Sequence, residues 1–199
     1  MDKRKSNGTE KTSAGERLQL AAQELFREYG LNKVSVEEIC DRAGVSKMTF
    51  YRQYRNKIDL LGSIFATMHE RVRIQADSIL SAKEPFEKKF NAIMRLNEQF
   101  HQELGNKLLN DLAASVDPEF KTMAEDLAQR QRDLNLRFIA IGKADGFLRS
   151  DFSDEFMLFL AEKRNEIFTD KRFATFYPNL ADGVKAIRDY FYYGVTKKL

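Results

Sequence analysis

The sequence predicts an all-α protein: an N-terminal three-helix domain containing a helix-turn-helix, followed by a larger helical bundle. Three observations predict it. Residues 35–57, SVEEICDRAGVSKMTFYRQYRNK, read as two short helices joined by a tight turn at Gly44. Downstream, apolar residues recur three and four apart, and no segment alternates with period two over a useful length, so no sheet is expected. Charge also divides unevenly, with 12 Lys+Arg against 8 Asp+Glu in residues 1–57 and 21 against 22 in residues 58–199. The positive balance therefore lies in the N-terminal part, where a surface that meets a polyanion would need it.

The elements follow in chain order. Residues 1–14, MDKRKSNGTEKTSA, are polar and read as a disordered tail; no apolar region follows the basic residues, so they do not form a signal peptide. A domain over 15–61 comes next. Its first helix is expected over 16–29, with Leu18, Ala22, Leu25, Phe26 and Tyr29 on one face and Gly30 after the end. Ser35 is a good N-cap, and Glu38 three residues on completes a capping box. Val36, Ile39, Cys40 and Ala43 then give a narrow apolar stripe. Gly44 supplies the left-handed residue that ends this helix. Val45 plugs the turn and Ser46 caps the next helix.

In that next helix Phe50 is the strongly apolar residue in the middle, so it should face the core. Lys47, Met48, Tyr51 and Arg52 then lie outside. Between Arg42 and Ile58 the charged residues are Arg42, Lys47, Arg52, Arg55 and Lys57, without an acid among them. A basic, hydroxyl-bearing second helix after a sharp turn suits the major groove of double-stranded DNA.

Residues 62–199 are expected to form a second domain. Asn56 caps a helix whose stripe runs through Leu60, Leu61, Ile64, Phe65 and Met68 to Val72 and on towards Leu80; this helix is expected to be the one element touching both domains. Pro85 opens a helix reaching about residue 104, and a short helix over 107–114 follows. Asp117 and Pro118 open a long helix to about residue 143, which Gly146 ends. Ser153 starts another. Pro178 and Gly183 bracket a turn before a last helix over 184–196.

Several function classes are excluded. The single cysteine, Cys40, cannot form an internal disulfide and suits a reducing cytosol, so a cytoplasmic location is expected. No apolar run approaches the ~20 residues of a membrane helix. His69 and His101 stand on different helices without metal-ligand spacing, so no metal is expected. Nucleophile motifs, phosphate-cradling glycine loops and paired-carboxylate signatures are absent, and neither catalysis nor a cofactor is expected.

The segment from Arg17 to Leu61 resembles the DNA-binding domain of the TetR family of bacterial transcription regulators. The elements that carry the resemblance are LFREYG, SVEEICDRAGVS, MTFYRQY and NKIDLL, at spacing that holds across three helices. The remaining two thirds are similar to the family only in size and helical character. Cys40 departs from the alanine more usual at its position; both are small, and packing demands smallness there.

The resemblance implies DNA-binding roles for Ser35, Ser46, Lys47, Met48, Thr49, Tyr51, Arg52, Gln53, Tyr54 and Lys57. Lys47, Met48, Thr49 and Arg52 are expected at base edges; Ser35, Tyr51, Gln53 and Lys57 on phosphates, with Tyr54 half-buried beside Phe50. It also implies a small-molecule inducer, largely apolar, held within the second domain. Fourteen of the 16 phenylalanines lie there, which fits either an apolar pocket or a core that happens to use Phe. Candidate lining residues are Phe65, Met68, Val72, Asn97, Phe100, His101 and Phe138. Family members pair through their last two helices, which implies a homodimer interface from Phe156, Phe159, Leu160, Ile167, Ile187, Tyr190, Phe191, Gly194 and Val195. The expected function is a ligand-responsive regulator, a repressor released from a palindromic operator. The alternatives are a constitutive or architectural DNA-binding protein and, more remotely, an all-helical enzyme.

Overall fold

The structure, a computed structural model, describes residues 12–170, 172–177 and 180–196. Among the described residues the chain forms ten helices, and its β pairing is one isolated antiparallel bridge, Leu148 with Thr196. The helices are α1 (Ala14–Tyr29), α2 (Val36–Ala43), α3 (Lys47–Gln53), α4 (Lys57–Ser81), α5 (Phe86–Leu104), α6 (Asn106–Ala114), α7 (Pro118–Ala144), α8 (Asp154–Thr169), α9 (Phe173–Phe176) and α10 (Leu180–Val195). Of the expected tail, residues 1–11 lie outside the described residues, while Ser13 and Ala14 already belong to the start of α1.

The helix starts sit where short polar side chains supply the missing acceptors. Ser13 with Glu16, and Ser35 with Glu38, make complete capping boxes. Ser46, Asn56 and Ser153 each accept from the amide three residues on, and Asp117 accepts from Glu119 just before Pro118. Such caps contribute about 1 kcal/mol each. Gly44 ends α2 at φ 63° and ψ 43°, the left-handed conformation that a β-carbon would strain.

Two main cores divide the molecule. In the first, Leu18, Phe26, Ile39, Phe50 and Leu60 are fully buried together, joined by Ile64, Phe65 and Met68 of α4. Cys40 belongs to this core, and burial raises its thiol pKa, as expected of a packing residue. The second gathers Phe86, Phe90, Ile139, Leu148, Met157 and Leu158 from α5, α7 and α8 and the loop before α8. A smaller cluster of Val72, Ala76, Ile93 and Leu96 joins α4 to α5.

Two sequence expectations need correction. α4 does not bridge the domains by itself, because Leu104, Leu108, Leu109 and Leu112 of α5 and α6 share the first core with α1. Asp111 of α6 accepts from the Asn32 backbone N–H at 2.8 Å, in the loop between α1 and α2. Gly183 is not a turn residue: it lies inside α10 and is buried, and a β-carbon there would stand 2.5 Å from Cζ of Phe173. Its smallness serves the approach of the one-turn α9, which the sequence pattern did not announce. Pro178 lies outside the described residues.

Candidate DNA-binding face and bundle cavity

α3 is a seven-residue helix with one anchor. Phe50 is 0% exposed, while Met48 and Tyr51 are 82% and 59% exposed. Lys47, Arg52 and Gln53 are exposed and Thr49 is half-buried. Burying Phe50 thus turns the side chains expected to meet DNA outward as a group. The Ser46 hydroxyl accepts from the Thr49 backbone N–H at 3.2 Å and lies 3.1 Å from its hydroxyl, which fixes the N-terminal turn. Ser35 does the same for α2, its hydroxyl donating to Glu38 at 2.7 Å.

Lys47 Nζ pairs with Glu37 at 3.0 Å, and this hydrogen bond raises its pKa. Both side chains are more than half exposed, so the pair is weak and can be exchanged for a phosphate or base acceptor. Arg52 carries no such partner among the described residues. Tyr54 stands apart: its ring lies 5.9 Å from that of Phe50, and its hydroxyl accepts from Gln19 Nε2 at 3.3 Å. It is half-buried against α1, as its expected place beside Phe50 required.

Lys57 turns inward. Its ammonium donates to the carbonyls of Leu31 at 2.8 Å and Val34 at 2.6 Å, and burial lowers its pKa. A cation at a helix N-terminus faces the wrong end of the helix dipole. The two loop carbonyls offset that, and they turn the ammonium inward. Lys57 therefore fastens the α1–α2 loop to the start of α4.

In the second domain a cavity of about 70 Å³ lies between α4, α5, α7, α8 and α10. Val72, Leu80, Phe90, Ile93, Leu134, Phe138 and Phe191 make up much of an apolar wall that Asn97, Gln131, Asn135 and Arg164 interrupt. Of the seven expected lining residues, Val72, Asn97 and Phe138 are present. Phe65 and Met68 instead complete the core beneath α1, about two turns and one turn from Val72. Phe100 packs between the first core and the α4–α5 cluster, its ring centroid 4.9 Å from that of His69. His101 lies outside the lining; burial, with the charge of Arg164 second, lowers its pKa to about 4. Sequence reasoning missed Gln131, Asn135 and Arg164, whose helical spacing gives no sign of whether they face a cavity or water.

The expected interface residues divide by direction. Phe156, Phe159 and Tyr190 are exposed, and nothing lies within 4 Å of where a β-carbon on Gly194 would point. Ile187 is buried with Phe173 and Val184, and Ile167 packs against them. Leu160, Phe191 and Val195 line the cavity. These five serve the protomer's own core. Tyr193 is 76% exposed on the same helix as Tyr190. No helix among the described residues is long and apolar enough to cross a membrane.

Comparison with known proteins agrees with this geometry. Residues 20–64 match the bacterial regulatory proteins of the tetR family. An uncharacterized HTH-type transcriptional regulator of Bacillus subtilis, YdgC, is 30% identical over 128 residues, a match spanning 62% of this chain and 63% of that protein. Among solved structures, regulatory protein TetR from Rhodobacter sphaeroides superposes with a TM-score of 0.72 at 18% identity, over 92% of this chain and 98% of that one. SmeT, the repressor of the Stenotrophomonas maltophilia multidrug efflux pump SmeDEF, gives 0.68 at 16% identity, over 94% and 92%; it has also been solved as a triclosan complex. The matched segment contains α2, α3 and most of α1 and is similar to the tetR family of bacterial regulatory proteins, and the chain as a whole shares the fold of these solved regulators.

Proposed function

We propose that this chain is a ligand-responsive, DNA-binding transcriptional regulator, a homodimeric repressor released from its operator by a small molecule. The observation that carries the reading is the outward, acid-free face of α3, anchored by Phe50. In this reading Lys47, Met48, Thr49 and Arg52 reach base edges. Ser35, Ser46, Tyr51 and Gln53 flank them at positions suited to phosphate oxygens. Lys57 is left out of that set by its inward hydrogen bonds.

Ligand response is supported by the cavity and by what connects it to α3. Within one turn of α4, Met68 packs under α1 and Val72 lines the cavity. A second route runs through α6, whose leucines and Asp111 hold α1 and the loop after it. SmeT's triclosan complex supports the same assignment by similarity of fold. In a dimer the two α3 helices must enter successive major grooves about 34–36 Å apart. A ligand that fits one tilt of α4 changes that separation, and linkage requires DNA to weaken ligand binding by the same factor. Substitution at Val72 should therefore alter induction and leave ligand-free operator affinity nearly intact.

Dimerisation is supported by the aromatic side chains exposed on α8 and α10: Phe156, Phe159, Tyr190 and Tyr193. Paired copies would bury them in an isologous four-helix arrangement. The test of DNA readout is Arg52→Ala, measured on a selected operator and on random DNA. Loss of about 1–3 kcal/mol confined to the operator is expected if Arg52 meets a guanine edge. Equal loss on both DNAs would reduce Arg52 to a phosphate contact.

A further inference from the structure

Arg164 of α8 lines the cavity, and its one hydrogen bond among the described residues runs from Nη1 to the thioether sulfur of Met94 at 3.7 Å. A guanidinium carries five N–H donors, and a thioether is a weak acceptor. No carboxylate among the described residues forms an ion pair with it. The acids two residues to either side of it on α8 are already engaged, Glu162 with Arg132 and Glu166 with Lys163. Burial alone depresses the Arg164 pKa, which agrees with the absence of a counter-charge, and the group stays charged at neutral pH.

The rest of the lining sharpens the point. Among the described residues no Asp or Glu lines the cavity, and its other polar members are the neutral amides Asn97, Gln131 and Asn135. Gln131 donates to Asn135 at 3.2 Å, while the Asn97 side chain forms no hydrogen bond among the described residues. A partly buried cation without a carboxylate partner among the described residues, set in an apolar wall, gains when an anion reaches it.

We propose that the effector of this cavity is an organic monoanion: a carboxylate on a largely apolar body, its two oxygens on the Arg164 guanidinium in place of the Met94 sulfur. This rests on the reading of the cavity as the effector site. The Asn97, Gln131 and Asn135 amides border the head group, and Val72, Phe90, Ile93, Leu134 and Phe138 receive the body. The 70 Å³ now free admits little more than the head group. Met94 is unbranched and partly buried, and its release from Arg164 frees it to swing aside and make room. A cationic amphiphile would meet like charge without a counter-ion and is rejected.

Calorimetric titration of the full-length protein with octanoate, octanamide and octyltrimethylammonium tests this, using wild type and Arg164→Met. Octanoate should bind about tenfold or more tighter than its neutral isostere octanamide, a preference characteristic of a charge-assisted bidentate contact. The ammonium compound should not bind. Arg164→Met should erase the preference and leave octanamide affinity within about threefold, since Met preserves the stem's packing. Equal affinity of wild type for octanoate and octanamide would overturn the anion assignment and leave the effector cavity standing; this comparison does not depend on the variant folding. Persistence of the preference in Arg164→Met would overturn it equally. Failure of all three compounds to bind would instead remove the effector reading on which the assignment rests.

Discussion

Lys57→Met separates two roles for one cation at the edge of the DNA-binding domain. The ammonium donates to the carbonyls of Leu31 and Val34, whose residues are 7% and 3% exposed. Methionine keeps the length and apolar stem but cannot donate. Each hydrogen bond to a charged group contributes about 1.5–3 kcal/mol, and relief of the buried ammonium returns part of it. The expected loss of stability is about 2–4 kcal/mol, or roughly 4–16 °C in Tm for a protein of this size. The assay is thermal unfolding paired with DNA affinity measured across a series of salt concentrations. A true phosphate contact would lower the slope of log affinity against log salt by about 0.9. The expected slope is unchanged, because Lys57 releases no counterion. An unaltered Tm together with a slope reduced by about 0.9 would refute the reasoning.

Other outcomes follow from the same structure. His101 has its pKa lowered from 6.5 to about 4, so the unfolded chain binds a proton that the folded chain refuses between those values. Stability should therefore fall by roughly 3 kcal/mol as pH drops through that window. Urea unfolding of wild type and His101→Gln at several pH values checks this; parallel pH profiles would contradict it. Tyr190→Glu, on a side chain 75% exposed, should leave the fold intact and abolish association in sedimentation measurements. A wild type that stays monomeric at micromolar concentration would remove the dimer. Gly183→Ala should destabilise by about 1–3 kcal/mol through the Phe173 ring, an overpacking cost read from the shift of the denaturant midpoint.

Much of the N-terminal domain was legible because local chemistry decides it. The capping box at Ser35, the left-handed Gly44 and the lone inward Phe50 act within a few residues, and each leaves its mark in the sequence, whereas Ser13, read as tail, proves to cap α1. The helices of the second domain were legible for the same reason, from Asn56, Asp117-Pro118 and Ser153. What lay beyond reach was direction. Periodicity marks an apolar stripe but cannot say which neighbour covers it. Met68 and Val72 share one stripe and serve two cores, and Leu160, Phe191 and Val195 turned out to face the protomer's own interior. The inward hydrogen bonds of Lys57 were also out of reach, because its carbonyl partners lie in a loop 23 and 26 residues away. Arg164 had no legible role, since its meaning depends on the absence of an acid that only three-dimensional packing reveals. Gly183 misled for a related reason: a glycine that makes room for a ring reads, in sequence, like one that makes a turn.

Selection of binding sites from random-sequence duplex DNA, followed by footprinting of the recovered site, bears most directly on regulation through α3. A homodimeric regulator should select a two-fold symmetric site, with half-sites one helical turn or a multiple apart and protection in successive major grooves. Arg52→Ala should relax base preference at symmetric positions in both halves. Recovery of no preferred sequence, with affinity that depends on salt alone, would contradict a sequence-specific regulator and leave a non-specific DNA-binding protein.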